Sequence, residues 1–141
     1  MSLNSADMPA VTRKADCERG QVIAETAVAM LAFAMLLFGI MQFGFLLYSY
    51  DTICNAAREG ARYAMVHGSK SSSPASISNI QSVVQGQCAG LGSVTANTTW
   101  TPNNNPGSVV RVTVTYTAPL NVPMLVTNVS LTATSQMVMA Y

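Results

Sequence analysis

The sequence predicts an α+β protein: a long N-terminal transmembrane helix that extends into a small extracytoplasmic domain with a second helix and a roughly three-stranded antiparallel sheet. Three observations predict it. First, the run from Val22 to Tyr50 carries one formal charge, Glu25, and its uncharged stretch from Thr26 to Tyr50 exceeds the roughly 20 residues that cross a hydrocarbon core about 30 Å thick. Second, an amphipathic helical period continues to Val66, with no proline between Pro9 and Pro74. Third, beyond Ser93 the hydrophobic period shortens to about two, with Val and Thr enriched as strands prefer.

Composition limits what such a chain can do. Of its 141 residues only 9% are charged, against roughly 25% in ordinary soluble proteins. Leader and span removed, about 75 to 90 residues remain, enough for one small domain and too few for a large enzyme core. Net charge is +1, and beyond Arg62 the formal charges are Lys70 and Arg111, so no basic surface exists for a phosphate backbone and nucleic acid is not an expected partner.

Taken in order, Met1 to Gly20 is polar, mixes Arg13, Lys14 and Arg19 with Asp7, Asp16 and Glu18, and reads as an unstructured cytosolic leader, residues 1–20. Three cations before the span against Arg58 and Arg62 after it favour a cytosolic N-terminus. A secretory signal peptide fits poorly, because the apolar run is about twice the usual 7 to 15 residues and no small-x-small cleavage site follows it.

The long helix is expected over 21–66, on the order of 65 to 70 Å. Its outer half places Tyr50, Ile53, Cys54, Ala57, Ala61 and Ala64 on one stripe and Asp51, Asn55, Arg58, Glu59 and Arg62 on the other. Gly60 costs about 1 kcal/mol in intrinsic helicity, so a packing reason is expected for it. Residues 67–141 form the small domain. His67 to Ser78 is a break, and a second helix is expected from Pro74 or Ala75 to Cys88, burying Ile77, Ile80, Val83 or Val84, and Cys88. Val94, Ala96, Thr98 and Trp100 share a strand face, and so do Val110, Val112, Val114 and Tyr116. Pro119 and Pro123 mark PLNVP as a loop, and a last strand runs from about Val129 to Met139, with Val129, Leu131, Ala133, Met137 and Met139 on its apolar face.

Catalytic signatures are missing. GxxxxGK, GxGxxG, GxSxG and HExxH do not occur, and the single His67 anchors no triad; Ser69 to Ser73 with Lys70 reads as a solvated linker. No enzyme and no cofactor are expected. Three cysteines without a CxxC pair and one histidine give no zinc site, so no metal is expected either. Cys54 and Cys88 lie on the same side of the span and would pair in an oxidising compartment; two free, partly buried thiols is the other reading.

The stretch Arg19-Gly20-Gln21-Val22-Ile23-Ala24-Glu25 before the apolar run resembles a class III signal of the type IV pilin kind, and Phe38 to Ala64, FGIMQFGFLLYSYDTICNAAREGARYA, is similar to TadE-like proteins, pilin-like minor components of the tight-adherence (Flp) pilus. The resemblance is strong from Arg19 to Ala64 and weaker over VRVTVTYTAPLNVPML. It implies cleavage between Gly20 and Gln21 by a prepilin peptidase at the cytoplasmic face, and Glu25 at position five of the mature chain, opposite the new amine of a neighbouring subunit. It implies the bacterial inner membrane, with its lipid, as location, and major and minor pilins and the inner-membrane platform as partners. The Arg58, Glu59 and Arg62 cluster is either a solvated helix face or a contact face for such partners. An uncleaved single-pass envelope protein with a small partner-binding domain is the alternative.

Overall fold

The structure is a computed structural model, and it describes residues 10–122 and 125–140. Helix α1 spans Ala10–Val66. Residues 10–20, expected to lack regular structure, are helical: after Pro9 the sequence offers neither proline nor glycine until Gly20, and most of the residues between are strong or neutral helix formers. Residues 1–9 of the expected leader lie outside the described residues. By length and composition, Gly20–Val66 is the one helix among the described residues apolar enough to cross a membrane.

The chain divides into two compact units, Met1–Ile40 and Met41–Tyr141. The boundary between the units falls inside α1, whose outer half contributes Ile53, Ala56, Ala57, Ala61 and Ala64 to the core of the second unit.

In the second unit that core is built where α1 and helix α2 (Ile77–Gln87) meet one face of an antiparallel sheet of order β1-β2-β3. The strands are β1, Val94–Thr101; β2, Val109–Val122; and β3, Leu125–Val138. Ile53, Ala56, Ala57, Ala61 and Ala64 of α1 join Ile80, Val84 and Cys88, and the inward residues Val94, Ala96, Val110, Val112, Val114, Tyr116, Ala118 and Ala133. Gly60 sits at the junction: a Cβ built on it would lie 2.8 Å from Val84 Cγ2, 3.4 Å from Val112 Cγ1 and 3.6 Å from Ile80 Cγ2. That is the packing reason expected for a helical glycine.

Two details of the expected faces change. Tyr50 is 49% exposed and Ser49 is fully buried in its place, with its hydroxyl donating to Phe45 O at 2.8 Å. The buried stripe thus starts one residue earlier, because the short satisfied hydroxyl fits an interior that a phenol would overfill. Ile77 is exposed, since α2 begins only there, after the N-cap Ser76, whose side chain accepts from Asn79 N at 3.2 Å. Within helix α2, Ile80 and Val84 are buried.

PLNVP is not a loop over its described part. β2 continues through Pro119 to Val122 and pairs with β3, with Pro119 opposite Asn128 and Val122 opposite Leu125. The strand tolerates proline because β1 ends its ladder at the Val94 and Tyr116 pair, so β2 beyond Tyr116 has a neighbour on one side only. β3 starts at Leu125, before the expected Val129, for the same reason.

Two side-chain devices complete the unit. Gln81 of α2 acts as a short strand against the outer edge of β1: its Nε2 donates to Val94 O at 2.8 Å and its Oε1 accepts from Ala96 N at 2.7 Å. The linker after α1 is tied to the β1–β2 turn, Ser69 N donating to Asn104 O at 3.1 Å and Ser69 Oγ to Asn105 Oδ1 at 2.9 Å. In that turn Gly107 has φ +85°, which an L side chain would strain to adopt.

Candidate functional site

Gly20 and Gln21 lie inside α1, and both are exposed. A Cβ on Gly20 would meet nothing within 4 Å, and its φ is an ordinary helical one. A glycine within a helix costs about 1 kcal/mol relative to alanine. At Gly60 close packing offsets that cost; at Gly20 nothing among the described residues does.

Gln21 and Glu25 are four residues apart, so they share one helix face. With Ala24, Val28, Ala29 and Ala32 they line a shallow depression of about 750 Å³. Alanines at this spacing flatten the helix surface, so a second helix could bring its backbone close to Glu25. Sequence reasoning noted the glycine and the acid but missed this stripe, although the spacing of Ala24, Val28, Ala29 and Ala32 carries it. Thr26, beside the acid, donates its hydroxyl to Val22 O at 2.8 Å.

The cluster of Arg58, Glu59 and Arg62 stands on the outward side of α1 in the second unit. Arg62 Nη1 and Glu59 Oε2 are 3.9 Å apart, with side chains 70% and 43% exposed. A pair so open is worth a few tenths of a kcal/mol. Arg58 Nη1 donates to Asn55 Oδ1 at 3.3 Å, and Asn55 Nδ2 to Asp51 Oδ2 at 3.5 Å, so the cluster is laced along its own helix. His67 is a helix-end residue. Its Nδ1 donates to Tyr63 O at 3.0 Å, which sets the tautomer, and its ring stacks on Tyr63 with centroids 4.2 Å apart.

Cys54 and Cys88 are both free thiols, the first half-buried at the core margin and the second buried as the C-cap of α2. Burial pushes the Cys88 thiol above its ordinary value of 9.0, since the interior penalises the thiolate. Among the described residues no three His, Cys, Asp or Glu side chains gather as metal ligands would.

No curated protein and no solved structure matches the chain. One family model does, that of the TadE-like protein family, over residues 20–62. The match opens at the unexplained glycine and closes at Arg62 of the charged cluster. Over residues 20–62, then, the chain is similar to TadE-like proteins.

Proposed function

We propose that the chain is a Tad pilus-associated minor pseudopilin: a structural protein, not a catalyst, cut by a prepilin peptidase between Gly20 and Gln21 and held in the inner membrane by α1 while it assists assembly of an adhesive Flp pilus. The observation that carries this reading is Gly20. It breaks the helix-forming preference of its segment, has no neighbour among the described residues within 4 Å of where a Cβ would stand, and lies five residues before an acid at the head of an apolar run. A peptidase that must lie against the backbone requires a residue without a Cβ there.

Cleavage would leave an amine at Gln21 one helical turn from Glu25. In a bilayer an isolated carboxylate is costly, and a cation on a neighbouring helix offsets much of that cost. The alanine-lined depression around Glu25 supports this, because a second helix can come near enough for its terminal amine to reach the acid. The mature span from Gln21 would then be set in register with its neighbours by charge, while apolar contacts fill the rest of the face.

An uncleaved anchor is the second reading, and one observation favours it: α1 runs through Gly20 without a break, whereas a scissile bond must become extended in a protease. N-terminal sequencing of the protein from membranes of a host with a matching prepilin peptidase separates the two. A start at Gln21, lost on Gly20→Val, is the expected result. A start at Met1 or Ser2 would establish the uncleaved anchor.

A further inference from the structure

Strand β3 ends the sheet on the side away from β1, and the bonds of Gln81 reveal which of its backbone groups face outward. Gln81 holds Val94 O and Ala96 N, so the even-numbered residues of β1 point away from β2 and the odd-numbered ones bond to it. Carried through the register, the even-numbered residues of β2 bond to β3, and the even-numbered residues of β3 bond to neither neighbour. Pro119 obeys the same alternation, its missing N–H falling on the side that β1 has left. The N–H and C=O groups of Asn128, Ser130, Thr132, Thr134 and Gln136 therefore line an open edge, and among the described residues no backbone group bonds to them. Edges are ordinarily guarded by charge, proline, a bulge, shortness or cover. β1 has its cover in Gln81. β3 is 14 residues long, pairs with β2 in unbroken register, and contains no charged residue and no proline.

The apolar layer is also incomplete on this side. Val110, Val112 and Val114 of β2 are fully buried, whereas Leu131 and Met137 of β3 are only half-buried against the same core. A second copy of the chain does not fit as the missing neighbour. Symmetric pairing of two β3 strands is antiparallel, because parallel strands related by a two-fold meet N–H to N–H. Within the second unit β2 runs antiparallel to α1: Val112 lies against the Gly60 position, and further along the strand Pro119 lines a depression with Met41, Gln42 and Phe45. β3 is antiparallel to β2 and so runs parallel to α1. An antiparallel β3 pair would point two copies of α1 in opposite directions, which chains anchored alike in one membrane do not permit. The β1 edge of a second copy is no better a donor, since Gln81 occupies it at Val94 and Ala96.

We propose that the open edge of β3 accepts one extended, uncharged segment of a different protein of the pilus assembly by strand addition; the proposal rests on the pilus-associated reading and on α1 as a membrane span. Backbone bonds to the even-numbered residues supply the affinity, and the two faces of β3 select the segment. On the inner face its side chains lie beside Leu131 and Met137, where an unpaired charge would be costly, so aliphatic residues are required there. On the outer face they stand level with the exposed Ser130, Thr132 and Thr134, which suit hydroxyl and amide neighbours. With no charge on β3, the contact does not depend on salt.

Amide hydrogen exchange resolved to single residues tests this on the full-length chain, first alone in micelles and then in the assembly recovered from its own host by a C-terminal tag. Alone, the amides of Ser130, Thr132, Thr134 and Gln136 should exchange fast and those of Leu131, Ala133 and Ser135 slowly; in the assembly both sets should be slow. Thr132→Pro removes one edge N–H and no ladder bond, so it should fold normally by circular dichroism and return Ser130 and Thr134 to fast exchange within the assembly. Thr134→Pro, read at Thr132 and Gln136, serves if the first variant misfolds, and exchange in the unmodified chain depends on neither. Edge amides that stay fast in the assembly, or protection that survives in a folded proline variant, overturn the strand addition and leave the pilus reading standing. A chain recovered with no other pilus component removes that reading, and the proposal with it. Edge amides that are slow in the isolated chain and quicken on dilution assign the edge to a second copy and overturn the different donor.

Discussion

Replacing Gly60 by alanine sets two effects of known sign against each other. Alanine is favoured over glycine within a helix by about 1 kcal/mol. Its methyl, however, would lie 2.8 Å from Val84 Cγ2, closer than carbon atoms can pack, and 3.4 Å from Val112 Cγ1. Val84 cannot swing away cheaply: it is fully buried, and a β-branched side chain in a helix has one strongly preferred rotamer. Overpacking of this kind costs about 1–3 kcal/mol, and a contact this short belongs in the upper part of that range. The net expectation for Gly60→Ala is a loss of about 1–2 kcal/mol. Val84→Ala removes the obstructing methyl, so in that background Gly60→Ala should become stabilising by up to about 1 kcal/mol, a coupling of roughly 2–3 kcal/mol in the cycle. Denaturant unfolding in micelles, followed by the half-buried Trp100, reads the unit that contains both residues. If Gly60→Ala stabilises equally in both backgrounds, α1 and α2 do not meet as closely as described and the reasoning fails.

Gly86, also helical, has nothing within 4 Å of its Cβ position, so Gly86→Ala should stabilise by about 0.4–1 kcal/mol in the same assay. Gln81→Ala uncovers Val94 O and Ala96 N; a loss of about 1–3 kcal/mol is expected, with faster amide exchange at Ala96 than at the inner ladder. Ser76→Ala removes the α2 cap, costing about 1 kcal/mol, whereas Ser76→Asp should retain most of it. The folded chain holds the Cys88 proton more tightly than the unfolded chain does. Its contribution is therefore complete below the unfolded value of 9.0 and is lost as pH rises through the higher folded value. Stability should fall above about pH 9 with a slope from this thiol of at most about 1.4 kcal/mol per pH unit, and Cys88→Ala should remove that part of the slope. For the assembly role, Glu25→Gln should leave cleavage after Gly20 intact and reduce recovery of the protein with pilus components, and co-purification of the mature chain measures it.

Much of the fold was legible because burial on one face enforces a period. Val110, Val112, Val114 and Tyr116 could be placed inward from spacing alone, since a slip of one residue would turn all of them to water. The long helix was legible for the same reason, and Gly60 was marked as a packing point before its neighbours were known. What failed to show was set by partners distant in sequence. Pro119 reads as a loop residue unless β1 is known to end short of it. The exchange of Tyr50 for Ser49 depends on how much room the opposing sheet leaves, which no helical wheel contains. Gln81 carries no local signal at all, because an amide that completes a strand edge looks like any polar helix residue. Of the candidate site, the Gly20 and Glu25 spacing was visible as a resemblance; that Gly20 has no packing neighbour among the described residues was not, since the sequence does not show what surrounds it.

Gln81 also limits how many copies a sheet of this kind can join. A sheet with two open edges has two sticky ends, and units with two sticky ends add without limit. The side-chain amide occupies backbone groups of β1, Val94 O and Ala96 N, that an incoming strand would need, and leaves β3 as the open edge of the three-stranded part. A unit with one sticky end can pair once and then stops. For a protein proposed to work among fibre-forming relatives, that difference separates a component that joins an assembly by its helix from one that would seed a sheet-built aggregate of its own.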